Sequence, residues 1–415
     1  MKLYNPSTDV HNKWFSYYAG FSTNFVQSVI EELKLEANSV ILDPWNGSGT
    51  TTVVAYNNGY NAIGYDINPA TNVIAKSRFL RCELDELVDA YRKIIEIYNV
   101  TNIEQIDQYD MLNLWFPPYA GILIRKLERS IAAVFNIESG IHLQNAGENS
   151  ESLAAFCYVA LFDTVKAFLK DMISKNPTWN KDAYIEILEE ENLLEMYDMI
   201  LRKNFSVLQP LKEYQNVKPY IRISNGSSLA INLPDASVDC IITSPPYCTR
   251  IDYAVSMKVG LAIIGLSSAD FKILRDCTIG TSTIHKKKFI LNPEWGTEAN
   301  SVLERIFTHS SYASQSYYFK TYWQYVNDCF ASLCELNRVL KSNGKAVFVL
   351  QDSYYKDIHV DLAKIYIQML SNQRWKMVER EDFEKPRTLV QINSKSKCYG
   401  QGTKRLESVL IFKKE

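Results

Sequence analysis

The stretch "ILDPWNGSGTTTV" at 41–53 constrains this chain more than any other. A continuous apolar run stops at Asp43 and Pro44, and Gly47 and Gly49 follow almost at once. Proline ends a strand by removing an amide donor, and paired glycines allow a tight turn that other residues resist. "GTTTVVAYNNG" then reads as a helix that Gly59 stops. "NAIGYDINP" is a second strand ending in Asp66, and "ATNVIAKSR" opens another helix. Strand, glycine turn, helix, strand, acid: this is the first half of a doubly wound α/β sheet.

The rest of the chain divides by periodicity. "FSTNFVQSVIEEL" places Phe21, Phe25, Val26, Val29 and Ile30 on one helical stripe ahead of the first strand. From 80 to 215 the apolar spacing becomes helical throughout, with helices expected over 82–98, 119–134, 151–169 and 183–200. Strands return with "YIRIS", "SVDCIITSPPY" and "KAVFVLQDS", and close with "WKMVERED" and "ESVLIFKK". The reading is an α/β domain over 1–79 and 216–415, carrying an 80–215 helical insertion packed beside the sheet. Residues 267–315, rich in Ser, Thr and Lys, read as an irregular loop within the α/β domain, of a length usually functional or disordered.

Composition limits what such a chain does. Of its 415 residues 47% are apolar, as in a globular protein, and no run approaches the length of a membrane span. The start "MKLYNPSTDVHNKW" lacks a basic, apolar leader, so the cytoplasm is the expected location. Eight cysteines without a C-x-x-C pair, and isolated histidines, point to reduced thiols and no metal site. A net charge of −2 leaves nucleic-acid binding to local patches, of which "HKKKF" at 285–289 and "SKSKCYGQGTKR" at 394–405 are candidates. Either patch also reads as a solvated loop.

Two segments carry chemistry. The Gly47-Ser48-Gly49 turn lets backbone amides and a small hydroxyl approach a ligand, and Asp66 ends the next strand where a carboxylate accepts both hydroxyls of a ribose. No lysine follows the glycines, which excludes a phosphate-cradling loop, and Asp43 suits an ammonium better than a pyrophosphate. S-adenosylmethionine has an ammonium, a ribose and an adenine. An ordinary strand-turn-helix corner is the plainer alternative. "TSPPY" follows the buried "VDCII", so Ser244 to Tyr247 stand at the carboxyl end of a strand, where open sheets bind ligands. Pro245 and Pro246 fix the backbone, and their neighbouring carbonyls are expected to be rigid, unshared acceptors for an amino group on a planar base. Tyr247 offers a stacking face.

"DPWNGSGTT…GYDINP" and "TSPPY" resemble the cofactor and catalytic motifs of DNA amino-methyltransferases. The likeness extends to "RVLKSNGKAVFVLQDS", "IDYAVSMKVGLAIIGL" and "RLESVLIF", over roughly 11–79 and 218–413. It implies a seven-stranded methyltransferase-type sheet, S-adenosylmethionine as cofactor, and double-stranded DNA with a flipped target base as partner. It implies cofactor contacts from Asp43, Pro44, Trp45, Gly47, Ser48, Gly49, Thr50, Asp66, Ile67 and Ser227. Phe15 and Tyr17 belong to the N-terminal segment that closes over the methionine end in that family. Catalysis falls to Ser244, Pro245, Pro246 and Tyr247, and DNA contacts to Arg250, Lys286, Lys287 and Lys288. The insertion becomes a possible target-recognition region, and a restriction or defence system a possible partner. T-S-P-P-Y leans toward cytosine N4 over adenine N6. This sequence departs from the family pattern in carrying Trp45 for the usual Phe and Ser227 where an acidic residue often stands. Its motif order, cofactor before catalytic, is the reverse of many T-S-P-P-Y enzymes. An RNA guanine amino-methyltransferase and a non-catalytic DNA-binding subunit are the competing readings.

Overall fold

A computed structural model describes residues 15, 22–138, 140, 143, 149–170, 185, 188–208, 211–214, 218–248, 252–285, 288–385 and 405–415. Helix α1 (Thr23–Leu33) opens where the Ser22 hydroxyl accepts from the Phe25 amide, and it buries Phe25, Val26, Val29, Ile30 and Leu33 on one face. Strand β1 (Val40–Asp43), helix α2 (Thr50–Asn57), strand β2 (Asn61–Asp66) and helix α3 (Pro69–Ser77) follow, as the glycine and proline punctuation predicts. Asn68 caps α3 by accepting from the Ala70 amide, with Pro69 in the first turn.

The insertion supplies α4 (Leu84–Val100), α5 (Pro118–Val134), α6 (Asn149–Phe168) and α7 (Glu190–Ser206). The last begins later than its apolar spacing suggests, because Glu190 and Glu191 take the first turn, where carboxylates meet the positive end of the helix. The chain then forms β3 (Ile221–Asn225) and β4 (Val238–Thr243), and a run of helices: α8 (Tyr253–Ser256), α9 (Lys258–Ile263), α10 (Ser268–Cys277), α11 (Gly296–Thr308) and α12 (Phe319–Val339). It closes with β5 (Leu340–Gln351), a small hairpin of β6 (Ser353–Tyr355) and β7 (Ile358–Val360), helix α13 (Leu362–Asn372), β8 (Trp375–Lys385) and β9 (Arg405–Lys414).

The sheet has seven strands in the order β3-β2-β1-β4-β5-β9-β8. The first five are parallel, and β9 runs antiparallel between β5 and β8. The chain moves outward from β1 in one direction and from β4 in the other, so the order reverses between them. A crevice forms at the carboxyl ends of strands at such a point. Alternate residues feed opposite faces. Ile41, Ala62, Ile223, Cys240, Ile242 and Val347 pack under α1 and α2, while Leu42, Ile63, Ile241, Ala346 and Phe348 pack under α11, α12 and α13. Burial on both faces explains why these strands read as continuous apolar runs.

The insertion docks onto the outer side of α3. Leu87, Ile94, Ile124, Leu127, Phe156 and Tyr197 share one apolar body with Val73 and Ile74 of α3 and with Val259, Leu261 and Ile263 of α9. Arg125 bolts the two parts together: it binds Asp110 through Nε (2.7 Å) and Nη2 (3.0 Å), and donates to the Ala262 and Ile263 carbonyls at 2.6 Å each. Those carbonyls belong to the last turn of α9, where Ala262 O also accepts from the Gly265 amide at 3.1 Å.

The irregular loop expected over 267–315 is overturned. That range contains α10 and α11, and Ser267 caps α10 by accepting from the Asp270 amide. Ala299, Val302, Leu303 and Ile306 give α11 a buried stripe at helical spacing, which its polar neighbours mask in composition. Among the described residues no helix is long and apolar enough to cross a membrane.

Candidate active site

A cleft of about 970 Å³, open solvent included, lies at the reversal point between the ends of β1 and β4. Its walls include both motifs: Asp43 through Ser48, Thr50, Asp66 and Ile67 on one side, Ser244 through Tyr247 on the other, with Ser227 between.

The first wall depends on two glycines. Gly49 precedes α2 with φ +82°, and a Cβ there would lie 2.9 Å from the Ala75 Cβ, so both backbone and space exclude a side chain. Gly64, beside Asp43 in the β1–β2 register, leaves room for the Asn46 amide, which a Cβ would meet at 2.5 Å. Asn46 donates its backbone N–H to Tyr65 O and its side-chain oxygen accepts from Thr52, which fixes the turn across β1 and β2. Its Nδ2 is buried with no partner among the described residues.

Two carboxylates define the electrostatics. Asp43 is 2% exposed, and its Oδ1 accepts from the Thr243 hydroxyl at 2.6 Å and the Trp45 amide at 3.1 Å. Burial pushes its pKa up to about 6 against the pull of those donors, and the nearby Asp66 charge adds to the rise. Among the described residues no cation pairs with it. Asp66 is also raised by burial, opposed by the Asn68 and Gly47 amides, which reach its two oxygens at 2.8 and 2.9 Å. The Thr71 hydroxyl opposes the rise as well, and a carboxylate with three such donors keeps a lone pair for a ligand. A buried carboxylate with no cation beside it among the described residues, a second carboxylate held at the end of β2, and a Gly-Ser-Gly turn fit the ammonium, ribose and adenine parts of S-adenosylmethionine.

The second wall follows β4. The Ser244 hydroxyl donates to the Val349 carbonyl of β5 at 3.1 Å. Tyr247 donates its backbone N–H to the Tyr253 hydroxyl at 3.1 Å. The carbonyls around the two prolines are not all unshared, as the sequence suggests. Pro246 O accepts from the buried Tyr325 hydroxyl of α12 at 2.9 Å, whereas among the described residues nothing donates to Pro245 O. Tyr325 lies 79 positions away and leaves no local sign in "SPPY".

Other expected residues fall elsewhere. Gly49 shapes the turn without lining the cleft. Phe15 is buried in the helical body with the Lys166 ammonium 4.1 Å from its ring centroid, not at the cleft wall. Its aromatic ring gains more from that core than from a polar cleft. Tyr17, Arg250, Lys286 and Lys287 lie outside the described residues, and Lys288 is exposed away from the cleft lining. The cleft also gathers Asn46, Asn68, Thr71, Tyr253 and the Cys277–Ile279 end of α10, none singled out from sequence. Asn68 and Thr71 were readable as the cap and first turn after Asp66; Cys277–Ile279 reaches the cleft only through the packing of α10. Among the described residues no group of three or more His, Cys, Asp or Glu gathers as metal ligands would.

Residues 2–77 match the DNA methylase family. The type II methyltransferase M.BsoBI of Geobacillus stearothermophilus is 28% identical over 311 residues, covering 68% of this chain and 58% of that protein. M.AvaI of Nostoc sp. is 26% identical over 71% of this chain and 61% of its own length. This chain therefore spans about three fifths of these relatives. Among solved structures, the YcgJ protein of Bacillus subtilis covers 94% of this chain at 8% identity and a TM-score of 0.32. A methyltransferase from Methanosarcina mazei scores 0.33 at 10% identity, covering 93% of this chain and 96% of its own. Scores this low add nothing to the strand order itself. The chain is thus similar to DNA methylases over residues 2–77 and to type II methyltransferases over 68–71% of its length, and DNA methylases take their methyl group from S-adenosylmethionine.

Proposed function

We propose that this chain transfers a methyl group from S-adenosylmethionine to the exocyclic amino nitrogen of a DNA base, with cytosine N4 favoured over adenine N6. One observation carries the reading: the two acids of the first motif and the Ser244–Tyr247 loop line a single cleft. When bound, the cofactor supplies an electrophilic methyl carbon on a sulfonium. In this reading Asp43 holds its ammonium, Asp66 its ribose, and the strip at Ser227 the adenine.

The residues that follow β4 hold the acceptor. The Ser244 hydrogen is engaged with Val349 O, so its oxygen turns acceptor lone pairs to an incoming amino group. Pro245 O, to which nothing donates among the described residues, takes the second N–H. Two acceptors on one amino group orient its lone pair and stabilise the positive charge that develops on nitrogen. Tyr247 stacks on the base, which leaves the duplex to reach it. The preference for cytosine rests on the T-S-P-P-Y form of the loop. A type II restriction partner and a cytoplasmic location follow from the same family reading.

Methyl incorporation from labelled S-adenosylmethionine tests the proposal. Unmodified duplex DNA is expected to become labelled and RNA is not. Label in RNA alone would overturn it.

A further inference from the structure

We propose that Tyr253 and Tyr325 are positioning residues that lock a single peptide unit of the catalytic loop. The proposal rests on the functional reading above and names how its loop is held. The two hydrogen bonds involve the carbonyl of Pro246 and the amide N–H of Tyr247, the two polar ends of one peptide plane. Tyr325 of α12 donates to the oxygen at 2.9 Å; Tyr253 of α8 accepts from the nitrogen at 3.1 Å. The two hydroxyls play opposite roles, so the plane cannot flip without breaking both bonds at once. Proline has no N–H, so within "SPPY" Tyr247 is the first amide after Ser244 that a hydroxyl can hold.

Two consequences follow for the site. The plane sets the Cα–Cβ direction of Tyr247, hence where its ring faces a base. It also withdraws Pro246 O from the cleft's acceptors and leaves Pro245 O, one residue away and fixed by the same prolines. A loop free to flip would present either carbonyl, and the amino nitrogen would not meet two acceptors in one geometry. The anchors come from different layers. Tyr325 is 1% exposed in the α11–α13 core, whereas Tyr253 lines the cleft. Asp252 caps α8 by accepting from the Val255 amide and pairs with Arg275 of α10, so the Tyr253 anchor is itself braced.

The test compares Tyr325→Phe and Tyr253→Phe with Tyr366→Phe, a hydroxyl deletion in the same buried core with no bond to Ser244–Tyr247 among the described residues. Methyl transfer to unmodified genomic DNA is followed at saturating S-adenosylmethionine, alongside cofactor affinity and melting temperature. Each loop variant is expected to lower kcat about tenfold, the worth of one oriented hydrogen bond, with cofactor Kd unchanged. The double variant is expected to lose no more than the product of the two. Tyr366→Phe is expected to keep the parent kcat. Parental kcat in both loop variants would overturn the proposal, as would a loss of kcat in Tyr366→Phe equal to theirs. If Tyr325→Phe fails to fold, Tyr253→Phe decides alone. An unaltered protein that binds cofactor but methylates no DNA would instead sink the functional reading.

Discussion

The Thr243 hydroxyl donates to Asp43 Oδ1 at 2.6 Å, joining the end of β4 to the end of β1 across the point where strand order reverses. One bond thus couples the strand that leads into the Ser244–Tyr247 loop to the acid proposed to hold the cofactor's ammonium. It also partly offsets the burial that raises Asp43. Thr243→Val removes the donor and keeps the shape. It is expected to destabilise the protein by about 1–2 kcal/mol in urea titrations at neutral pH and to raise Asp43 further. Equal midpoints for both proteins would show that the bond contributes nothing.

In its proposed place at the cofactor's ammonium, Asp43 is expected to make cofactor binding depend on pH. Its folded pKa, about 6, lies above the unfolded value of 3.8, so protonation favours the folded state. The unliganded protein therefore loses stability as pH rises from about 4 to about 6, by roughly 3 kcal/mol from this group. A cationic ligand reverses the sign, because it pairs only with the ionised carboxylate. Calorimetry is expected to show S-adenosylmethionine affinity falling as pH drops below 6. The neutral 5′-methylthioadenosine, which lacks the ammonium, keeps only the part due to Asp66. Identical pH profiles for the two ligands would remove Asp43 from the ammonium site.

Arg125 predicts a different kind of failure. Arg125→Ala strands the Asp110 carboxylate in a site where both side chains are about nine-tenths buried, and it uncovers the last carbonyls of α9. The expected loss is about 3–5 kcal/mol by denaturant titration. Arg125→Lys recovers only a fraction, because an ammonium cannot span both partners. A loss under 1 kcal/mol in the alanine variant would mean the insertion is held by apolar contact alone.

Much of this arrangement was legible in the sequence. Strands β1, β2 and β4 are apolar runs with a proline or acid at the end, and the glycines mark a turn no other residue allows. What escaped was set by packing across the chain. Helix α11 hides its stripe of Ala299, Val302, Leu303 and Ile306 among charged neighbours. Phe15 carries no mark that separates a core aromatic from a cofactor contact. The bond from Tyr325 to Pro246 joins residues whose proximity only the packing of α12 under the sheet creates.

The lysines at 286–288 give a prediction for DNA. Lys288 is exposed, as a backbone contact must be. Replacing Lys286, Lys287 and Lys288 by Gln is expected to weaken DNA binding and to flatten its salt dependence by about 0.9 per lost phosphate contact. Cofactor affinity stays at the parent value. An unchanged slope in fluorescence anisotropy titrations would leave the lysines as solubilising charges.

The most direct test of the central claim is mass spectrometry of nucleosides from the DNA of a host that expresses the chain. N4-methylcytosine is expected with the unaltered protein and is expected to fall sharply with Ser244→Ala and Tyr247→Ala, both folded and both binding cofactor. N6-methyladenine in its place would correct the choice of base and keep the chemistry. DNA without any methylated amino group, from cells holding folded protein with cofactor bound, would contradict the account.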